Sequence, residues 1–600
     1  MTTKYAYGLK KCINQNPFMD SQAKKFTEEQ IMSEFFPTSK FWGIFNPQNE
    51  IYLGTRGSGK TILMRMASYN LLRKMKNTKA EKIISEKKFI CFFIPLNLEF
   101  STSVINANKN NEYFVFSVNC LSVEAFIDTL VNVVADSSIS DREKKELNIR
   151  ITEAIGKELT TFSKCIMLND IRSEVARLYN EVEPWNDGDE KVIPNVLYKE
   201  ILTPVLRMID IINRCTNDLF SHTTWIACID EAEFLKETHL KCINLFMRTT
   251  KKNLALKMTT LPTKHSTLET SVNGVFIEPN GNDFNYRWID YDCDSAEYRE
   301  LTNHIVQHRF AKAGTEPPIL SLEQFLGTCG KDDTIDYFLA ALGKSEEEGK
   351  RFLREKLVEE LSQTRQKRFE TIRDDIDKIS SQYYEKFSPA FYLRYAKREN
   401  SIANRTFEWF IGSRTIRKIS DGNPRRFIEI MNYIVNEMIT KDLTKKELHK
   451  LIIQFTCDEE RKMQTLPDYG FVLRALCEQI GSLIAEKIHG AILLDYGCNF
   501  YIDKKLFEDE KIKNALALGI NYNHIKYVEN RNEILTSETH FRLSFLHAVV
   551  HWLPMRVVDH PSPTVKPQHL ELPFKYEYFN NSNSKELIKN YGLELGNDQD

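Results

Sequence analysis

The chain has 600 residues, a formal net charge of −2, and 27% charged against 42% hydrophobic residues, the balance of a globular protein of three or four domains. That charge excludes a globally basic surface for nucleic acid or membrane. The longest apolar runs, such as Phe89 to Leu96, are too short to cross a bilayer. The lysines of Met1 to Lys11 precede no apolar stretch of the kind a secretion signal needs. Twelve cysteines without C-x-x-C spacing read as reduced thiols of a cytosolic protein, not as disulfides or zinc ligands.

Residues 1–48 form a leader. Thr27 to Ile31 opens a short helix, and Phe35, Phe36, Phe41, Trp42 and Phe45 read as packing against the next domain rather than as ligand contacts. Next comes Gly54-Thr55-Arg56-Gly57-Ser58-Gly59-Lys60-Thr61, which fits the P-loop (Walker A) pattern G-x-x-x-x-G-K-[ST]. A short apolar strand, Glu50 to Leu53, precedes it, and helix formers, Ile62 to Ala67, follow. In that setting Gly54, Gly57 and Gly59 let backbone N–H groups turn inward onto phosphate oxygens, at the positive end of the following helix. Lys60 is expected to reach the β- and γ-phosphates of ATP, and the Thr61 hydroxyl to ligate Mg²⁺.

Phe89 to Ile94 is apolar throughout, as a strand buried on both faces should be. Residues 100–220 read as a helical insertion without a catalytic constellation. Its helices are expected over Val123 to Ala135, Asp141 to Phe162 and Leu197 to Arg214, with a loop at Glu181 to Gly188. The third strand, Thr224 to Ile229, ends in Asp230-Glu231, the Walker B arrangement. Asp230 is expected to hold Mg²⁺ and Glu231 to polarise the attacking water; the alternative is a strand-end carboxylate capping the next helix. A helix over Glu233 to Lys251, a strand over Leu254 to Thr260 and another over Tyr286 to Tyr291 complete a doubly wound parallel sheet.

Ser345 to Phe387 reads as a solvated helix or helical hairpin with balanced charges. In Gly422-Asn423-Pro424-Arg425, Asn423 is placed to cap a helix and Pro424 to occupy its first position. Arg425 then opposes the helix dipole, which implies an anion or acidic group nearby. Further on, Phe471 to Lys487 is a helix, and Ala491 to Ile502, Ile525 to Val528 and Phe541 to Phe545 are strand candidates, compatible with a winged helix. Lys504, Lys505, Lys511 and Lys513 form a small patch that reads as a solvated face. The acidic end, Leu593 to Asp600, reads as frayed.

GTRGSGKT, the strand end Ile229-Asp230-Glu231-Ala232-Glu233 and the downstream Gly422-Asn423-Pro424-Arg425 together resemble the AAA+ ATPases of the origin-recognition-complex (ORC) type, in particular their bacterial relatives, and the neighbouring STAND signalling ATPases. Phe541-Arg542-Leu543-Ser544-Phe545 with Leu553-Pro554 is similar to the C-terminal signature of those bacterial proteins. The resemblance covers roughly 40–460. It implies an α/β fold: a P-loop NTPase αβα core with a parallel sheet (49–300), a helical lid (301–460) and a small C-terminal α+β domain (461–600), with ATP and Mg²⁺ between core and lid. Arg425 would be the sensor 2 residue. Thr259 or Thr260, ending the strand that lies between the two Walker strands, would be sensor 1. The family commonly has Asn there, so Thr implies slow or uncoupled hydrolysis. Arg287 and Arg248 are positional candidates for an arginine finger. The function implied is a cytoplasmic ATP-binding and ATP-hydrolysing switch that self-assembles or controls a partner protein, with bacterial anti-phage defence as its setting and no membrane partner. One alternative is an initiator-like protein whose C-terminal domain grips duplex DNA. Another is a nucleotide-binding scaffold without turnover, which Glu231 argues against.

Overall fold

Apolar side chains alternate along the strands of the first domain. Tyr52, Cys91, Ile226, Cys228 and Ala255 pack on one face of a sheet, while Ile51, Phe92, Trp225, Ala227 and Leu256 pack on the other. The computed structural model describes residues 15–19, 27–97, 100, 110–182, 195–216, 219–249, 253–315, 318–326, 345, 348, 385–402, 410–490, 492–528, 535–558 and 563–569. The sheet comprises β1 (Glu50–Leu53), β2 (Phe89–Pro95), β3 (Thr224–Asp230), β4 (Leu254–Thr260) and β5 (Asn285–Trp288). Its order is β2-β3-β4-β1-β5 and every pairing is parallel. The strand ending in Asp230 is therefore separated from the P-loop strand by β4, as the family resemblance implies.

The P-loop helix Lys60–Ala67 covers one face, together with Ile31, Phe41 and Ile44 of the leader. The insertion covers the other face. Its long helix, Asn110–Ala135, begins well before Val123, and its Phe126 ring lies 5.7 Å from Phe92 and 4.7 Å from Trp225. The segment thus shares this layer of the αβα sandwich with helix Glu237–Arg248, whose Ile243, Phe246 and Met247 join the same core. This helix is long and apolar enough to cross a membrane, with a mean hydropathy of 1.6, but most of it is buried inside the protein. The helix expected over Leu197 to Arg214 is broken into Asn195–Tyr198 and Thr203–Cys215. Leu202 sits at φ 62° there and Pro204 opens the second piece. β5 stops at Trp288 rather than Tyr291, because Lys40 Nζ takes the carbonyls of Trp288, Ile289 and Asp290 at 3.0, 3.0 and 2.8 Å.

At the N-terminal end of the sheet a polar cluster is sealed in. Glu50 accepts from Lys257 Nζ (2.8 Å), Tyr52 OH (2.7 Å) and Arg287 Nε (2.8 Å), and the Glu50 and Lys257 side chains are fully buried. Satisfying every partner is what makes such a pair tolerable away from water.

The lid helices Ala296–Lys312, Ser413–Ser420, Pro424–Thr440 and Lys445–Lys462 share one hydrophobic core with the C-terminal domain. That domain runs helix Gly470–His489, β6 (Asn499–Ile502), helices Lys504–Phe507 and Glu510–Asn521, β7 (Ile525–Tyr527) and β8 (Phe541–Leu543). Antiparallel β7-β8-β6 pairing gives a winged-helix arrangement, to which β9 (Thr564–Val565) adds in parallel beside β6. The first strand is shorter than Ala491 to Ile502. The last ends at Leu543, because the Ser544 side chain caps helix Phe545–His551 and the Asp421 carboxylate accepts the Phe545 N–H at 3.2 Å. Most of Ser345 to Phe387 and of Glu181 to Gly188, and all of Leu593 to Asp600, lie outside the described residues.

Candidate active site

The P-loop leaves the C-terminal end of β1 and is held from several sides. Thr55 N–H donates to Asp290 Oδ2 at 2.9 Å, and its hydroxyl meets the other Asp290 oxygen. Gly57 and Gly59 lie at φ 90° and 97°, a conformation that turns successive N–H groups inward. Lys60 Nζ folds over the loop onto the carbonyls of Gly54 (2.8 Å) and Thr55 (3.3 Å). Burial lowers the pKa of this ammonium, opposed by Glu233, Asp230 and Asp290.

A cavity of about 400 Å³ opens above the loop. Arg56, Gly57, Ser58, Gly59, Lys60 and Thr61 line it, with Glu231 and Glu233. Phe35, Phe36, Tyr291, Leu301, Ile305 and Ile428 also line it, with Thr38 and the Glu34–Arg309 ion pair. The Ser58 hydroxyl is buried and has no partner among the described residues. A donor-rich loop beside apolar side chains suits a nucleotide.

A second cavity, about 430 Å³, shares Thr61 and Glu231 with the first and adds Asp230, Asn97 and Asp128 to its walls. The Thr61 hydroxyl and the Asp230 carboxylate are hard oxygens on one surface, the donor type Mg²⁺ takes. Glu231 sits on strained backbone at φ 65°, and its N–H donates to Thr259 Oγ1 at 3.3 Å. The turn it makes carries the chain into a 3₁₀ segment, Ala232–Phe234, so the regular helix starts only at Glu237.

The lid closes on the loop through Gly422-Asn423-Pro424-Arg425. Asn423 caps helix Pro424–Thr440 by accepting from Arg426 N–H, with Pro424 in the first turn. Its Nδ2 also donates to Arg56 O (2.8 Å) and Thr55 Oγ1 (3.2 Å). Arg425 N–H donates to Gly57 O at 3.3 Å, and Arg425 lines the first cavity beside Lys60. Lys60 and Arg425 therefore face one cleft from core and lid. The family model described as ORC-CDC6-like matches residues 16–559. The chain belongs to the ORC-CDC6-like family. No curated protein matches the sequence.

In this ORC-CDC6-like AAA+ protein the two sensor 1 candidates separate. Both threonines are fully buried. The Thr259 hydroxyl bonds to Asp230, whereas Thr260 uses its carbonyl to accept the Gly54 N–H at 3.2 Å and leaves its hydroxyl without a partner among the described residues. Neither arginine-finger candidate lies near the cleft. Arg287 is bound to Glu50, and Arg248 to Asp283 at 2.9 Å.

Several residues of the site carry no motif. Phe35 and Phe36 belong to the aromatic cluster read as packing; they wall the cavity, whereas Phe41 is core. Glu233 lines the same cleft. Burial raises its pKa, Lys60 opposes that, and its Oε2 has no partner among the described residues. The spacing Asp230-Glu231-Ala232-Glu233 was its only signal.

Gly57 is where lid and loop touch. A Cβ there would lie 2.7 Å from Arg425 Cβ and 2.8 Å from Asn423 Oδ1. Gly57→Ala is expected to lift the lid and weaken ATP binding about tenfold, matching a left-handed penalty of about 1–2 kcal/mol. Equilibrium nucleotide titration checks this, and unchanged affinity would show that the close approach is unimportant.

Proposed function

We propose that this chain is an ATP-driven switch. ATP held between core and lid sets the position of lid and C-terminal domain, hydrolysis releases them, and a partner protein or a second copy of the chain reads the difference. The observation that carries this reading is the docking of the lid on P-loop backbone atoms, Arg425 on Gly57 and Asn423 on Arg56. Movement of the loop at the phosphates is passed directly to the lid.

Lys60 and Arg425 would neutralise charge on the transferring phosphoryl group, fixed cations in a cleft with little water being effective at this. Glu231 accepts the proton of the attacking water. Thr61 and Asp230 would hold Mg²⁺, whose charge offsets that of the β- and γ-phosphate oxygens. The commitment of the Thr259 hydroxyl to Asp230 supports slow turnover. Cytoplasmic action suits the ten described cysteines, all free thiols. Control of an effector in bacterial anti-phage defence extends the proposal on family resemblance alone.

The winged-helix arrangement favours the rival reading, a DNA-gripping initiator. Against it, Lys504, Lys505, Lys511 and Lys513 stand among Asp503, Glu508, Asp509 and Glu510, which leaves little net charge for a phosphate backbone. The deciding measurement is ATP turnover by the full chain, with and without duplex DNA, beside Lys60→Ala. Turnover abolished in Lys60→Ala and indifferent to DNA is the expected result. DNA-stimulated turnover that fades steeply with salt would favour the initiator, and failure of the wild type to bind ATP would remove the proposal.

A further inference from the structure

The P-loop is supported from outside by three parts of the chain. Asp290 and Thr260 of the core hold Thr55 and Gly54, Arg425 and Asn423 of the lid hold Gly57, Arg56 and Thr55, and the C-terminal domain holds Arg56. The third support comes from the last turn of helix Glu510–Asn521. Arg56 N–H donates to the Asn521 carbonyl at 2.8 Å, and Arg56 Nη1 donates to Tyr522 OH at 2.7 Å.

Asn521 reaches a second element of the core as well. Its Nδ2 donates to Thr263 Oγ1 at 2.7 Å, and its Oδ1 accepts the Thr263 N–H at 3.2 Å. Thr263 lies three residues beyond β4, the strand that carries Thr259 and Thr260. Asn521 is only 4% exposed. One residue of the C-terminal domain therefore bridges the phosphate loop and the segment that follows the strand contacting Asp230.

An empty P-loop aims several N–H dipoles at one point, and these repel until an anion arrives, while Lys60 rests on the Gly54 and Thr55 carbonyls. External bonds must hold such a loop in its cradle shape. We propose that Asn521 is a positioning residue of the nucleotide site, keeping the cradle formed and making attachment of the C-terminal domain depend on nucleotide. This rests on the ATPase reading above. If the latched domain favours the cradle, bound nucleotide must tighten the latch by the same factor. Arg426 lies on the same path: from the lid helix its Nη1 donates to Asn523 O and Ser544 Oγ, each at 2.9 Å.

The test uses the full chain with Asn521→Ala, the conservative Asn521→Asp, which keeps an acceptor for the Thr263 N–H, and Tyr522→Phe, which removes only the hydroxyl on Arg56. Asn521→Ala keeps the carbonyl on Arg56 but loses both side-chain bonds that anchor it to Thr263, so without nucleotide hydrogen exchange of the peptide 54–62 should be about tenfold faster, the scale of two lost buried hydrogen bonds. Asn521→Asp should restore part of the protection. The KM for ATP should rise about tenfold with kcat changed less than twofold, a split that general loss of stability does not produce. In the wild type ATP should slow exchange across 510–528, and in Asn521→Ala it should not. Unchanged P-loop exchange and unchanged KM would overturn the proposal. Should Asn521→Ala fail to fold, the other two variants decide it. Should the wild type bind no ATP, the ATPase reading falls with the nucleotide half of this one, while nucleotide-free exchange still decides whether Asn521 positions the loop.

Discussion

Glu231→Gln should lower ATP turnover about 10²–10⁴-fold, the usual worth of a positioned general base, while leaving ATP binding nearly intact. The substitution keeps size and shape and removes only basicity. Glu231 is well placed for the role, lying where the two cavities meet. Its backbone is held by the N–H bond to Thr259. None of the atoms proposed to grip phosphate, in Lys60, Ser58 or the loop amides, is touched by the change. Phosphate release measured beside equilibrium nucleotide titration checks both halves. A loss smaller than about threefold would move the base role to Glu233, the other carboxylate of the cleft, and Glu233→Gln would then carry the large effect.

Asp421→Ala should destabilise the union of lid and C-terminal domain by about 3–5 kcal/mol, the cost of removing one partner from a buried ion pair. Asp421 ends helix Ser413–Ser420, one residue before the motif that touches the P-loop. Its carboxylate takes two bonds from Arg542, at 2.6 and 2.9 Å, and one from the Phe545 N–H, with Lys526 at 3.6 Å. Without it, Arg542 and Lys526 are left with buried charge. A melting transition lower by roughly 6–20 °C is expected. Burial acts to raise the Asp421 pKa, but Arg542 and Lys526 outweigh it and hold the carboxyl well below the usual range. A depressed pKa contributes stability that is complete above the unfolded value, near 4, and is lost as pH falls below it. Asp421→Asn should therefore flatten the acid limb of the stability profile. An acid limb identical to wild type would show that the pair contributes nothing.

The same contacts show what was legible beforehand. Phe541-Arg542-Leu543-Ser544-Phe545 stands out as a signature, and its residues are the ones that grip Asp421 and Arg426. No spacing rule links positions more than a hundred residues apart, so the partners were invisible. The P-loop side of the cleft was readable because its residues are consecutive and match one pattern. Its apolar lining was not, because Phe35, Tyr291, Leu301 and Ile428 come from separate elements and each looks like ordinary core. Choosing between Thr259 and Thr260 required the register of β4 against β3, since neighbouring residues on a strand face opposite ways. The place of the insertion in the fold was hidden for a related reason. A helix such as Asn110–Ala135, apolar on most sides, announces burial but not what it is buried against.

Thr61 and Glu231 are shared by two openings, one beneath the lid and the other beneath insertion residues Ala125, Asp128 and Thr129. Were ATP cleaved there as proposed, its two products would have separate ways out. Inorganic phosphate would leave past the insertion while ADP stayed under Arg425. The interval between those departures would be a state of its own, neither charged nor spent. Its duration would be governed by whatever presses on the insertion, which makes that layer the natural place for an outside signal to set the clock.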